Sequence, residues 1–374
     1  MSGFVYDRLL ERKDICNLKA EQKTIETHIA NQQNVVLYAP RNFGKTSLVK
    51  SIIIPDFKKK YKNSLTYFVD LMGVKDMQAL VGRLERALDL ALKENFPVKH
   101  LVKNFADYLK NLRADLTLEL NQDGPKLKLN TNSKNNTLSI ADIFQILANI
   151  NKKHPCLIII DEFQDIAALA EAEALFRDAF QKLNIPIIVL GSKKHILSEI
   201  FAKPQAPLAN FGNDVLIKPI IYKEYHKYMT PRFAAENNKI DFESAKYLQD
   251  LMLRVPESVN ILCSEINLQY KNQEITKAKI DNALDKLLSN RQARFEFLLQ
   301  SLSKAEESIL IALANLGGKI AKPLSKDFVA TANLTPRSIS VNIKKLMDLG
   351  FLEKDKTYYI NDALLLKYLQ SFRK

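Results

Sequence analysis

Cysteine is scarce in this chain: Cys16, Cys156 and Cys263 are the only three, far apart and in no CxxC spacing. That excludes a disulfide framework and a thiolate zinc site, and it suits a reducing compartment. No window approaches the ~18–20 uninterrupted apolar residues of a membrane span. The opening Met1-Ser2-Gly3-Phe4-Val5-Tyr6-Asp7-Arg8 has no basic stretch followed by an apolar one. No secretion signal is therefore expected, and the reading is a cytoplasmic protein without a membrane partner. With only 10 glycines, and no internal repeat, a fibrous or low-complexity chain is excluded as well.

What is present is ordinary globular material, 47% hydrophobic and 26% charged, over 374 residues. That length exceeds one hydrophobic core and predicts two or three domains. The formal net charge of +13 attracts polyanions, but charge alone does not choose among nucleic acid, anionic membrane and acidic protein.

Short apolar runs alternate with helical patterns through the first 220 residues. Residues 14–31 read as an amphipathic helix, and Asn34-Val35-Val36-Leu37-Tyr38 as a strand followed by a turn and a helix from Gly44 to about Ile53. Leu65–Leu71, Leu157–Ile160, Ile185–Leu190 and Val215–Lys218 are further strands, and residues 76–112 carry leucines at four-residue spacing. Apolar strands separated by helices predict a parallel sheet covered on both faces. Between them, alternating 115–120 and 126–129 flank Asp123-Gly124, which predicts a hairpin inserted over about residues 113–131. From Tyr222 to about Arg294 the pattern is wholly helical. The expected division is 1–220, 221–295 and 296–374.

Two motifs carry chemistry. Ala39-Pro40-Arg41-Asn42-Phe43-Gly44-Lys45-Thr46-Ser47 follows the first strand and opens a helix, as a phosphate-binding loop GxxxxGK[ST] does, with Ala39 at the first glycine. Such a loop curls its N–H groups around phosphate oxygens while the helix start adds a positive dipole end. Lys45 would reach the terminal phosphates and Thr46 a Mg²⁺ ion. Ile158-Ile159-Ile160-Asp161-Glu162 ends a buried strand in two carboxylates. Asp161 would hold the metal and Glu162 would orient or deprotonate an attacking water. A lone GK[ST] is common by chance; the pair of motifs is not. Ser192, after the next apolar strand, occupies a position from which it could sense the γ-phosphate.

These segments, with Val69-Asp70-Leu71-Met72-Gly73-Val74, Asp161-Glu162-Phe163-Gln164-Asp165-Ile166, Gly191-Ser192-Lys193-Lys194-His195 and Leu175-Phe176-Arg177 with Gln181, resemble the archaeal-type ATPases, near the STAND and AAA+ groups. The resemblance implies ATP and Mg²⁺, and an α/β P-loop NTPase three-layer sandwich with its parallel sheet in the order 5-1-4-3-2. It also implies a helical lid and a C-terminal winged helix-turn-helix. The chain departs from the family at Asn17–Glu21, which lacks an arginine, and at Pro207–Asn213, which lacks a Gly-Arg. No arginine occurs between Arg177 and Arg232, so an AAA+-type arginine finger is missing from its usual place. Arg177 and Arg254 are the candidates to replace it, each equally readable as a surface arginine.

The C-terminal pattern supports the winged helix directly. Helices are expected over 304–316 and 325–332. A third starts with Thr335 as N-cap and Pro336 in its first turn, burying Ile339, Ile343, Leu346 and Leu349. Phe351–Glu353 and Thr357–Ile360 form the wing. Arg337, Ser338, Ser340, Asn342, Lys344 and Lys345 on the third helix, with Lys354 and Lys356 on the wing, suit a duplex. Residues 301–374 hold 12 Lys and Arg against 7 Asp and Glu. Winged helices also dock proteins, so double-stranded DNA, a protein partner and self-association all stay open. Three functions are compatible with these features: a DNA-associated ATP switch with an architecture like archaeal origin-recognition ATPases, a STAND-like signalling or assembly ATPase, and a nucleotide-binding module with negligible turnover.

Overall fold

The computed structural model describes residues 3–95, 116–121, 124–129, 139–192 and 194–373. The chain divides into two compact units. One comprises Leu18–Ala39 and Lys45–Ile217; the other comprises Met1–Asn17, Pro40–Gly44 and Lys218–Lys374.

The first unit is built on five parallel strands: β1 (Val35–Tyr38), β2 (Leu65–Asp70), β5 (Cys156–Asp161), β6 (Ile187–Gly191) and β7 (Asn213–Leu216). Their order is β2-β5-β6-β1-β7. Counting only these five in chain order, the sheet reads 2-3-4-1-5, which is the expected 5-1-4-3-2 seen from its other edge. All residues of β1, β5 and β6 are buried, as continuous Val/Ile/Leu runs require when helices cover both faces. The strand carrying Gly191-Ser192 lies between the phosphate-loop strand and the acidic strand. The three motifs therefore end side by side at the C-terminal edge of the sheet.

Helices Lys19–Ala30, Met77–Asn95, Ile140–Asn151, Ala172–Gln181 and Lys194–Phe201 complete this unit. Ser139 and Asp142 form a reciprocal capping box that starts Ile140–Asn151. The phosphate-loop helix runs further than its pattern indicates: Lys45–Leu48 is α-helical, Val49–Ile53 widens to a π turn, and Ile54–Lys60 returns to α. Pro55 has no N–H to give to the preceding turn, and the widened π segment lies directly before it. Strands β3 (Leu116–Asn121) and β4 (Gly124–Leu129) pair antiparallel, so the hairpin forms; Gln122, Asp123 and the flanks at 113–115 and 130–131 lie outside the described residues, as does the 96–112 part of the leucine-spaced pattern.

A run of aromatics packs one flank of the sheet. Phe176 meets Phe144, Phe163 and Phe180 at centroid separations of 5.9, 5.3 and 5.3 Å. Phe163 directly follows the acidic pair, so this cluster anchors the motif from below.

The second unit is helical, with helices Tyr222–Ala234, Phe242–Leu251, Pro256–Gln269, Lys277–Asn290 and Gln292–Gln300 leading into the C-terminal module. The all-helical expectation over 222–294 needs one amendment: β8 (Lys239–Ile240) and β9 (Glu274–Ile275) pair in parallel. The N-terminal segment belongs here too. Phe4 packs on Phe233 at 5.0 Å, Asn260 donates to the Val5 carbonyl at 2.9 Å, and Arg232 binds Asp14 at 3.2 Å with both side chains buried.

The C-terminal module consists of helices Lys304–Asn315, Lys326–Ala332 and Pro336–Asp348, a sheet of β10 (Lys319–Ile320), β12 (Tyr358–Ile360) and β11 (Leu352–Lys354), and helix Ala363–Phe372. Thr335 accepts from Ser338 N as the N-cap. Ile339, Ile343 and Leu346 are buried as expected, but Leu349 is 57% exposed. Asn342 takes a buried place instead, because its amide bonds back to the Ser338 carbonyl one turn earlier. No helix among the described residues is long and apolar enough to cross a membrane.

Phe176→Ala should remove the centre of the aromatic cluster and lower unfolding free energy by ~3–5 kcal/mol. Chemical denaturation of the full chain measures this; a loss below about 1 kcal/mol would mean that the cluster relaxes around the void.

Candidate functional site

The phosphate loop is shaped by two residues in the left-handed region, Asn42 at φ 66° and Gly44 at φ 81°. Such alternation turns successive N–H groups inward, which is how a backbone makes an anion cradle. Among the described residues, nothing lies within 4 Å of where a Cβ on Gly44 would stand. Backbone conformation, and not crowding, is what selects glycine here. The Lys45 ammonium, buried, donates to the Ala39 carbonyl at 3.0 Å, across the mouth of the loop. Ala39 N reaches the Gly191 carbonyl at 3.4 Å, so the loop leaves its strand in register with β6. Within the second unit, Arg41 Nη1 lies 2.9 Å from where a Gly350 Cβ would be, at the turn after helix Pro336–Asp348.

The acidic pair is joined to the helix that follows this loop. Thr46 Oγ1 donates to Asp161 Oδ2 at 2.6 Å, and Glu162 N donates to Asp161 Oδ1 at 2.9 Å. Asp161 is 3% exposed. Burial pushes its carboxyl above the ordinary carboxylate range, and Glu162 adds to this, while Thr46 and Lys45 pull it back. Thr46 and Asp161 present two hard oxygen atoms side by side, the donor type that Mg²⁺ takes when it keeps the rest of its shell for water and phosphate.

Glu162 stands in the left-handed conformation, at φ 51°, where the chain turns from β5 into a 3₁₀ turn over Phe163–Ala168. A non-glycine residue held there stores local strain, a feature concentrated at functional positions. Ser192 Oγ donates to Glu162 Oε2 at 3.1 Å, and the Gln164 amide nitrogen donates to the same oxygen. The loop after β2 is tied in by Asp165, which accepts from Gly73 N at 2.7 Å, and by Leu71 N on the Asp161 carbonyl at 3.0 Å.

Thus Ala39, Lys45, Thr46, Asp161, Glu162 and Ser192 converge. Arg177 does not join them. It is exposed on helix Ala172–Gln181, whose inward face is Ala172, Phe176, Ala179 and Phe180. Arg254 is engaged elsewhere: its guanidinium donates to the Ile220 carbonyl at 2.6 Å and lies over the Tyr222 ring at 4.3 Å. Gln164 was legible only as part of a family-like segment; nothing in its spacing announces that it folds back on Glu162.

On the winged helix, Arg337, Ser340, Lys344, Lys345, Lys354 and Lys356 are exposed. The first four recur at helical spacing and form one face. Ser338 and Asn342 are not on it, since Ser338 Oγ accepts from the buried Asn342 amide at 3.2 Å.

Residues 293–371 match the family described as "Probable winged helix domain". The whole chain superimposes on the Walker-type ATPase of Pyrococcus abyssi with TM-score 0.66 and 17% identity, covering 98% of this chain and 99% of that one. The fold is that of a Walker-type ATPase bearing a winged helix. The Aeropyrum pernix ORC2 protein, in its ADPNP–ADP complexes, shares the Walker-type fold with TM-score 0.55 and 14% identity over 98% of this chain and 96% of that chain. Its ADP form gives 0.50 and 15% over 98% and 97%. No curated protein matches the sequence.

Gly44→Ala should destabilise by about 1–2 kcal/mol through backbone strain alone. A thermal melt with and without Mg·ADP checks it: a fall in Tm that nucleotide no longer offsets is expected, whereas unchanged Tm and binding would mean that the loop tolerates another conformation.

Proposed function

We propose that the chain is a Mg²⁺-dependent ATP-binding and ATP-hydrolysing switch, associated with double-stranded DNA through its winged helix. The observation that supports the nucleotide half best is the 2.6 Å link between Thr46 and Asp161 beside the curled loop. ATP as the nucleotide draws support from the Walker-type neighbours, one of them seen with ADPNP and ADP.

In this reading the N–H groups of residues 40–47 receive the phosphates, and Lys45 exchanges the Ala39 carbonyl for the terminal phosphate. Thr46 and Asp161 would hold Mg²⁺, which when bound neutralises charge on the β- and γ-oxygens. Glu162 accepts a proton from the attacking water as its oxygen bonds to the γ-phosphorus and the bond to ADP breaks. Ser192, between the two motif strands, reports the state of that phosphate. No step is assigned to Arg177, which faces solvent, or to Arg254, which is held by backbone carbonyls. The proposed division of labour follows 1–220 for nucleotide, 221–295 for the lid and 296–374 for the winged helix.

The exposed basic face of helix Pro336–Asp348, flanked by Lys354 and Lys356, supports the DNA half. A second reading, a STAND-like assembly ATPase whose winged helix docks protein, is favoured by the closeness of Arg41 to Gly350.

Lys45→Ala is expected to abolish nucleotide binding in an ADP or ATP titration. Glu162→Gln should retain ATP while turnover falls by about 10²–10⁴-fold; undiminished turnover would remove Glu162 from the mechanism. In a gel shift with duplex DNA, Arg337→Ala with Lys344→Ala should weaken binding and flatten its salt dependence by about two counterions. If the unaltered protein binds no duplex at low salt, with or without ATP, the DNA half fails and the protein-docking reading stands.

A further inference from the structure

Gln164 is a glutamine in an unusual position. It is 3% exposed, and its amide nitrogen donates to Glu162 Oε2, with a longer contact of 3.4 Å to Asp165 Oδ1. Its amide oxygen is buried and has no hydrogen-bond partner among the described residues. Turning the amide over would not help, because the oxygen would then face a carboxylate that, when ionised, only accepts. Glu162 therefore dictates which way the amide lies, and the amide oxygen is left unmatched as a result. Buried unmatched polar atoms are rare in native folds, and each calls for a reason.

The surroundings are shaped to admit this oxygen. A Cβ on Gly191, at the tip of β6, would overlap the Gln164 amide oxygen and the Leu197 side chain. So a missing side chain on one strand accommodates an unsatisfied group from the turn beside it. Glu162 is itself held in a left-handed conformation. Two local costs and one space-making glycine all serve the placement of one carboxylate. Ser192 Oγ, at 3.1 Å, and Gln164 converge on the same oxygen, Oε2, and no hydrogen bond to Oε1 occurs among the described residues.

We propose that Gln164 is a positioning residue for ATP hydrolysis: with Ser192 it clamps Glu162 by Oε2, reserving Oε1 for the water that attacks the γ-phosphate. This rests on the reading of Glu162 as the group that takes the water's proton, and deepens it. In this role Gln164 acts through the carboxylate and not on the nucleotide. Because the clamp fixes geometry and contributes nothing to nucleotide binding, its loss should appear in kcat and not in KM.

The test is Gln164→Met in the full-length chain, which keeps the length and burial of the side chain but deletes the donor. With Mg·ATP, kcat should fall by about 10–100-fold, the scale of a misplaced reacting group, while KM and the Kd for ADP stay within twofold. The Tm should hold or rise, since an unmatched buried oxygen is removed. Gln164→Asn, too short to reach Oε2, should lose the same kcat and serves if the methionine protein does not fold. In single-turnover assays, adding Gln164→Met to Glu162→Gln should leave the residual rate unchanged. A packing role would instead cost the same factor in both backgrounds, and that result, like an unchanged or raised kcat in Gln164→Met, overturns the proposal. An unaltered protein that binds ATP without hydrolysing it would overturn the hydrolytic reading itself, and the clamp with it.

Discussion

One hydrogen bond, from Thr46 to Asp161, spans 115 residues of sequence and brings the two halves of the site together. It is only as good as the sheet beneath it. Tyr38 pairs with Gly191 and Asp70 with Asp161, so registers on both sides of the central strands bring four loops to one edge. A one-residue slip in β5 would turn Asp161 to the other face of the sheet, because side chains alternate along a strand. The continuous burial of Ile158, Ile159 and Ile160 does not set that register by itself, since both faces are apolar. Phe163 and the aromatic cluster it enters supply the missing specificity, by fixing the turn that leaves the strand.

The electrostatics of this edge run against stability. Asp161 is a carboxylate kept from water, with its protonation favoured by burial. Glu162 adds a second negative group and a strained backbone. An arrangement of this kind is poor as packing and apt as a receptor for a cation: bringing positive charge between these oxygens relieves the repulsion that folding created. Under the proposed function, ligand binding and relief of that stored cost are one event.

Much of the architecture was legible because its determinants are local. Apolar runs bounded by turns gave the five parallel strands, and Thr335-Pro336 marked the start of the third winged-helix helix through its cap. Gly44-Lys45-Thr46 and Asp161-Glu162 announced themselves because their chemistry demands those residue types in sequence. The features that escaped are those that depend on contact. The π turn at Val49–Ile53 has no periodic signature, and Leu349 lost its buried place to Asn342 through a hydrogen bond that no hydropathy pattern encodes. Arg177 and Arg254 looked alike as candidates; only the fold shows one facing solvent and the other fastened to Ile220. Gln164 was hidden for the same reason, its partner being two residues away but on the far side of a left-handed turn.

The capture of the N-terminal segment has a consequence for how the chain comes into being. Val5 is held by Asn260, a separation of 255 residues, and Lys13 and Asp14 are held by Arg232, 219 and 218 residues on. On the ribosome, these residues emerge more than 200 residues ahead of the surface that receives them. At ~5–20 residues per second, Phe4 and Val5 wait on the order of ten seconds or more before helix Pro256–Gln269 exists to receive them. The sheet unit, whose residues end at Ile217, can mature in that interval while Met1–Asn17 awaits the helices of its own unit. Docking of residues 4–14 is thus a contact the second unit can make only after helices Tyr222–Ala234 and Pro256–Gln269 exist.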